Sequence, residues 1–186
     1  MKQTKFGFIL FLILLLPPVR NLLESIMVVH MLVQLPLLIF FGWLMADYFQ
    51  NRFPSFFEKW NANGLPGIIL VVIITTYWMI PRTLDEAFGS WEVELFKFVS
   101  LPILVRIPLS HSWKTLSSLG RSFVIFNYLP MFGLMAWLYI DAPVRLCNNY
   151  LVTEQKVLGW GFLGITVCII LYTLQSVFTD HSEETY

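Results

Sequence analysis

Long apolar runs, separated by short polar stretches, make up most of the chain as far as residue 178. A helix needs about 20 mostly apolar residues to cross a hydrocarbon core of about 30 Å. Six runs approach that length, so the pattern predicts an all-α, polytopic bundle of membrane helices. The predicted spans are residues 6–22, 25–46, 65–80, 93–109, 122–140 and 157–178.

The first predicted span has two interpretations. Residues 6–16 follow two lysines, as the apolar region of a signal peptide does. The segment that comes next, Pro17–Arg20 (PPVR), contains no small-x-small cleavage site. We therefore interpret residues 6–22 as an uncleaved helix with a proline kink.

The fourth predicted span, residues 93–109, is the most polar of the six. It contains Lys97 and Arg106, together with Pro102 and Pro108. Arg106 can extend to a head-group region, and Lys97 lies one turn inside the opposite end. We count this segment as a span. The alternative is a helix that lies in the membrane interface, which would reverse the orientation of everything after it.

The distribution of Lys and Arg predicts the orientation of the bundle, because cytoplasmic loops carry the excess of basic residues. A cytoplasmic N-terminus in the inner (cell) membrane, followed by six spans, places six basic residues inside and four outside. The inside set is Lys2, Lys5, Arg52, Lys59, Lys114 and Arg121, and the outside set is Arg20, Arg82, Arg145 and Lys156.

Composition agrees with a single transmembrane domain over residues 1–186. Apolar residues make up 57% of the chain and charged residues 13%, whereas soluble domains have about 45–50% and 25%. The formal net charge is zero and no basic patch occurs, which argues against nucleic acid as a partner. The lipid bilayer and the subunits of a membrane complex are the predicted partners. The two cysteines, Cys147 and Cys168, match no redox or zinc spacing.

His30 is the most informative residue, because an ionisable side chain inside an apolar span is costly and by default marks a functional site. Met27, His30, Met31 and Gln34 fall at i, i+3, i+4 and i+7, which is one face of a helix. Imidazole and thioether groups on one face suit copper. The alternative is a histidine hydrogen-bonded across the bundle, with methionines that only fill space.

Other polar residues are predicted at the same outer membrane surface as His30. Arg82 and Asp85 follow the third span at a spacing that allows a salt bridge, and Glu154 and Gln155 precede the sixth span. These four residues, with Gln34, are candidate partners that orient metal ligands through hydrogen bonds. Polar residues are common at helix ends in any case, which explains Asp85 and Glu154 without a function but does not explain His30.

Four segments resemble the CtaG-type cytochrome c oxidase assembly factors. His30–Leu38 (HMLVQLPLL) resembles a His-Met-x-Gln-His signature, and Thr75–Phe88 (TTYWMIPRTLDEAF) resembles a Trp-His-x-Pro segment. Trp91–Leu104 occupies the position of a His-x-x-x-His helix, and Thr153–Phe162 resembles an Asp-Gln-x-x-x-Gly segment. The order and approximate spacing agree from about residue 24 to residue 175.

The resemblance implies a multi-helix membrane protein that helps to deliver copper to a haem-copper oxidase through histidine ligands. In this chain only His30 remains of those histidines, and Met79 stands where one of them is expected. A cuprous ion accepts two or three soft ligands. The predicted metal ligands are therefore His30, Met27, Met31 and Met79, in an assembly or accessory factor for a copper-containing respiratory oxidase.

The loss of the other histidines also supports an alternative, a metal-free structural subunit of a larger membrane enzyme complex. Gly159, Gly161 and Gly164 in the sixth span are candidate positions for close approach by a partner helix. No nucleophile–base pair, phosphate-binding loop or HExxH motif occurs, and every acidic residue lies near a predicted helix end or in a loop. The sequence therefore predicts that the protein is not an enzyme.

Overall fold

The computed structural model describes residues 2–180, with side chains for residues 6–46, 48–50 and 52–179, and contains helices and no strand in that part of the chain. The α-helices are α1 Lys2–Leu15, α2 Pro17–Glu24, α3 Met27–Val29, α4 Leu35–Arg52, α5 Pro54–Trp60, α6 Leu65–Met79, α7 Pro81–Gly89, α8 Trp91–Val99, α9 Ile107–Thr115, α10 Ser118–Asp141 and α11 Val152–Asp180. Two π-helical segments, π1 His30–Gln34 and π2 Ser100–Arg106, join α3 to α4 and α8 to α9.

Three helical stretches in the described part of the chain are long and apolar enough to cross a membrane: Met27–Ala46, Ser118–Asp141 and Val152–Thr179. The number rises to five if two bent helix pairs each count as one span. The predicted all-α class with several apolar, membrane-length helices is thus confirmed, whereas the predicted number of six spans is not. The fourth predicted span, residues 93–109, is not among these candidates by length and composition.

The predicted proline kink in the first span is confirmed. α1 and α2 meet at an angle of 73°. Leu16 precedes Pro17 and has extended backbone angles, φ −61° and ψ 127°, because the ring of a following proline disfavours the helical conformation. α2 then continues to Glu24, two residues beyond the predicted end of this span.

Prolines also explain the two π segments. Pro36 lies two residues after the end of π1, and Pro102 lies inside π2. A proline has no N–H to donate, and its ring crowds the carbonyl of the preceding turn. The wider π turn accommodates both the missing donor and the ring. At π1 the N–H of Leu35 bonds to the carbonyl of His30, five residues back. As a result the helix is continuous over residues 27–52 and over residues 91–115.

The core lies where these two long helices cross α6 and α1. α4 packs on π2 and α1, and α6 packs on π2 and α9. Gly42 marks the closest approach, since a Cβ there would lie 2.7 Å from the Cα of Pro102. No larger residue fits at this crossing without a shift of the backbone.

α10 and α11 form a long antiparallel pair at one side of the bundle. Gly159 and Gly161 of α11 are used internally, because a Cβ at Gly159 would meet Ile140 at 2.7 Å and one at Gly161 would meet Leu32 at 2.8 Å. Only Gly164 has open space around it. Internal packing thus explains Gly159 and Gly161, and of the three candidate docking positions Gly164 alone stays a prediction.

Candidate functional site

The predicted His30 face points into the bundle. Met27, His30 and Gln34 are fully buried, and Met31 is 4% exposed. Met79, near the end of α6, is 8% exposed and belongs to the same apolar core as Met27 and Met31. Met27, His30, Met31 and Gln34, predicted to share one helix face, are all buried, although π1 begins at His30 and widens the helix there.

A buried ion pair lies beside this face. Lys97 of α8 is fully buried, and its Nζ lies 2.5 Å from Oε1 of Glu24, the last residue of α2. The prediction that Lys97 lies one turn inside the end of its span gave it no partner, and the structure supplies one. Taking a charge out of water is costly unless it is paired and hydrogen-bonded. Glu24 provides that pairing for Lys97.

Gln34 supports the same carboxylate. Its Nε2 donates to Oε1 of Glu24 at 3.0 Å, so that one oxygen accepts from both an ammonium and an amide. The other amide atom of Gln34, Oε1, is buried and has no hydrogen-bond partner within the described part of the chain. Gln34 was predicted to orient a metal ligand, but in the structure it binds Glu24.

His30 has a partner at each ring nitrogen. Nδ1 lies 2.6 Å from the hydroxyl of Tyr150, and Nε2 lies 3.3 Å from Nζ of Lys97. An ammonium only donates, so Nε2 must accept and Nδ1 must carry the proton that His30 donates to Tyr150. The edge of the Phe88 ring packs against the imidazole, with ring centroids 5.8 Å apart.

We call Glu24, Lys97, His30, Tyr150 and Gln34 the ion-pair cluster. Its members come from four separate parts of the chain: α2, π1, α8 and the loop between α10 and α11. Burial and the nearby carboxylate of Glu24 raise the pKa of Tyr150, whose loop lies outside the spans, so the phenol stays protonated. The cluster thus links the α10–α11 pair to the rest of the bundle through polar bonds.

A copper ion does not fit this arrangement. Both nitrogens of His30 are engaged, and the Lys97 ammonium at Nε2 repels a cation at the position where it would bind. Within the described residues, no group of three or more His, Cys, Asp or Glu side chains is placed to hold a metal ion. The ligand set of His30, Met27, Met31 and Met79 stays a prediction, and it requires His30 to release a partner.

The predicted salt bridge between Arg82 and Asp85 is wrong. Arg82 is exposed and pairs instead with Glu86, one turn further along α7, at 2.9 Å. Asp85 accepts from the backbone N–H of Asn148 at 2.7 Å and from the side chain of Asn149 at 3.2 Å. Asp85 therefore holds the loop that carries Tyr150.

Gln155 holds the same loop from the other side. Its Oε1 accepts from the N–H of Leu146 at 2.9 Å, and its Nε2 donates to the carbonyl of Tyr139 at 3.5 Å. The neighbouring Glu154 is half-buried and makes no hydrogen bond or ion pair with the described residues. Gln155, rather than Glu154, thus orients a member of the ion-pair cluster, and it does so through the backbone.

Cys147 completes the packing of this loop. Its thiol is buried and donates to the carbonyl of Pro81 at 3.6 Å. Burial, with a smaller effect of Asp85, raises the pKa of Cys147 to about 12. The thiol therefore stays protonated and behaves as a packing group.

The opposite end of the bundle contains a second polar group, which we call the amide cluster: Asn61, His111 and Ser112. The Nδ2 of Asn61 donates to Oγ of Ser112 at 2.9 Å and contacts Nδ1 of His111 at 3.1 Å. Its Oδ1 accepts from the N–H of Gly67 at 2.9 Å and so satisfies the start of α6. His111 thus has a structural partner, whereas His181 lies outside the described residues.

Sequence reasoning missed Glu24, Lys97 and Tyr150 as members of the site. Glu24 was classed among the acidic residues at helix ends, which is where it lies, but it is buried. One signal was available, because an acidic residue just before the His30 face and a lysine inside an apolar span are both costly in lipid and need partners. Nothing in the sequence singled out Tyr150.

No family model, no curated protein and no solved structure matches the chain.

Proposed function

We propose that this protein is a membrane-embedded, non-catalytic accessory or assembly factor for a copper-containing respiratory oxidase, and that it acts without a metal ion at His30. The resemblance of four segments to oxidase assembly factors supports the class of function. One observation supports the metal-free form: both ring nitrogens of His30 are bonded within the protein, one of them to an ammonium group.

We further propose six spans, with the N-terminus in the cytoplasm. The uninterrupted helix of residues 91–115 supports the fourth span, because it packs against α4 and α6 in the centre of the bundle. An unpaired lysine inside a span would be costly, and the ion pair with Glu24 lowers that cost for Lys97. The excess of Lys and Arg on one set of loops supports the orientation. Cysteine labelling at Ser90 and Ser118 tests it, since five spans would place both on one side.

The role we propose for the ion-pair cluster is to fix how the helices assemble. A buried ion pair contributes little net stability compared with apolar residues, but it penalises every arrangement that separates its partners. The three side chains of Glu24, Lys97 and Tyr150 meet only if α2, α8 and the α10–α11 loop are correctly placed around His30. A subunit that presents a defined apolar surface to a larger complex needs that accuracy.

A second candidate function is a cuprous site on the same face. It is favoured by three thioethers, those of Met27, Met31 and Met79, in one apolar core next to His30. The site would form only if Tyr150 or Lys97 released its ring nitrogen. The two candidates therefore differ in whether copper displaces a protein partner of His30.

Purification in mild detergent, followed by anaerobic loading with cuprous ion and metal analysis, separates the two. Co-purification of oxidase subunits with no stoichiometric copper on this chain supports the metal-free factor. Stoichiometric copper that is lost in His30→Ala and Met31→Ala, and kept in the control Met135→Leu, would overturn it and establish the cuprous site. A monodisperse protein with no partner and no copper would contradict both.

A further inference from the structure

A cavity of about 710 Å³ lies between the α10–α11 pair and the helices α4, α6 and π2–α9. Along π1 and α4 its lining runs from Met31 to Ala46, which at about 1.5 Å per residue is roughly 20 Å. Its size falls in the range of about 300–1,000 Å³ that small-molecule sites in proteins occupy. The cavity is therefore long and narrow enough for a single extended chain.

The middle of the cavity is apolar. Its wall is formed by aliphatic and aromatic side chains such as Leu35, Ile39, Val71, Leu101, Val105 and Phe162. The two polar groups in this stretch, Thr75 and Tyr128, bond to each other at 2.7 Å across α6 and α10. Because these hydroxyls are paired, the middle of the cavity presents hydrocarbon to whatever fills it.

One end of the cavity is basic. Arg106 and Lys114 line it, together with Trp113, and no acidic residue is part of its wall. Arg106 is half-buried, and among the described residues neither cation makes an ion pair or a hydrogen bond. Trp113 is an amphipathic ring of the kind found at the level of lipid head groups. This end therefore presents two unpaired cations to an anion at the membrane surface.

We propose that the cavity binds one acyl chain of an anionic bilayer phospholipid, with the lipid phosphate between Arg106 and Lys114. The apolar middle accepts the chain, and the guanidinium group of Arg106 matches a phosphate with paired donors. The two cations lie at the end of the bundle that carries Lys59 and Arg121, the side assigned to the cytoplasm. Anionic lipids are concentrated in that leaflet.

The head-group interaction is tested with purified, delipidated full-length protein. Phosphatidylglycerol and phosphatidylcholine with identical chains are offered in equal amounts, and native mass spectrometry counts the bound lipid. We expect one bound phosphatidylglycerol, favoured by roughly fivefold for each cation. Arg106→Gln should lower the preference about fivefold, Arg106→Lys should keep it, and the control Arg145→Gln should leave it unchanged.

The chain site is tested by filling the cavity. Ile39→Trp places a ring inside it and should abolish retention of both lipids, whereas Phe40→Trp, one residue on and exposed, should retain phosphatidylglycerol like the unmodified protein. Thermal unfolding confirms that each variant is folded. Equal retention of the two lipids, an unchanged preference in Arg106→Gln, or a lipid retained by folded Ile39→Trp would each overturn the proposal.

Discussion

The two ends of the bundle both bury polar side chains, but among the described residues the charged ones that are buried, Glu24 and Lys97, lie at one end. The ion-pair cluster encloses the carboxylate of Glu24 and the ammonium of Lys97. The amide cluster at the other end is built on Asn61, whose amide bonds to Ser112 and to the backbone of Gly67. Both clusters join segments distant in sequence, so the difference lies in their electrostatic cost.

That difference separates a cluster that folding requires from a candidate functional site. The amide cluster satisfies a backbone N–H at the start of α6, a need that every buried helix end has. The ion-pair cluster satisfies no backbone group, and replacing a buried ion pair by apolar residues is often neutral or stabilising. A charged cluster that local folding does not require is the better candidate for a site under functional constraint, and His30 lies at its centre.

The largest expected effect is at Lys97. Lys97→Met leaves the buried Glu24 without its partner, and we expect the free energy of unfolding to fall by about 3–5 kcal/mol. The double variant Lys97→Met with Glu24→Gln should recover most of that loss, because no charge is then buried alone. Thermal unfolding in detergent measures both. Lys156→Met, at an exposed site, is the matched control. An equal loss of stability in the single and double variants would show that an unpaired buried charge is not the cause.

The amide cluster should respond less. Asn61→Ala removes three hydrogen bonds of an uncharged side chain and leaves the Gly67 N–H unpaired, which costs about 1–3 kcal/mol. The exposed Asn21→Ala is the control and should change stability little. A loss as large as that of Lys97→Met would show that charge is not what distinguishes the two ends.

Within the ion-pair cluster, Tyr150 should matter less than the ion pair. Tyr150→Phe removes one hydrogen-bond partner of His30 and should cost about 0.5–1.5 kcal/mol. The ring nitrogen signals of His30 should also shift, since Nδ1 loses its acceptor, whereas those of His111 should not. Unchanged His30 signals would show that the bond from the α10–α11 loop does not form.

The effect of Cys147, in the same loop, is the smallest at neutral pH and develops only at alkaline pH. Its pKa is raised from 9.0 to about 12 by burial, so the folded state holds the thiol proton more tightly than the unfolded state. The contribution to stability is present below pH 9 and is lost as the pH rises towards 12. Unfolding measured against pH should show this decline, and Cys147→Ala should show a smaller one, because Tyr150, whose pKa is also raised by burial, contributes a decline of its own. An identical decline in that variant would assign it to other groups.

The membrane class, most of the helices and the shared face of His30 were predictable from the sequence, because each depends on local apolar periodicity. The ion pair was not predicted, since Glu24 and Lys97 are 73 residues apart and each was judged by its own segment. The partner of His30 from the loop, Tyr150, is 120 residues away. The prolines that produce π1 and π2 were visible, but their effect on which side chains meet depends on how the helices pack.

The central claim is that His30 is a neutral imidazole, bonded by Lys97 and Tyr150, in a site that excludes copper. Nitrogen-15 spectra of histidine-labelled protein in lipid nanodiscs, assigned with His30→Gln, test it most directly. We predict a protonated Nδ1 and an unprotonated Nε2, both unchanged when cuprous ion is added. A proton on Nε2 with none on Nδ1, or a shift of either nitrogen on addition of copper, would contradict the claim.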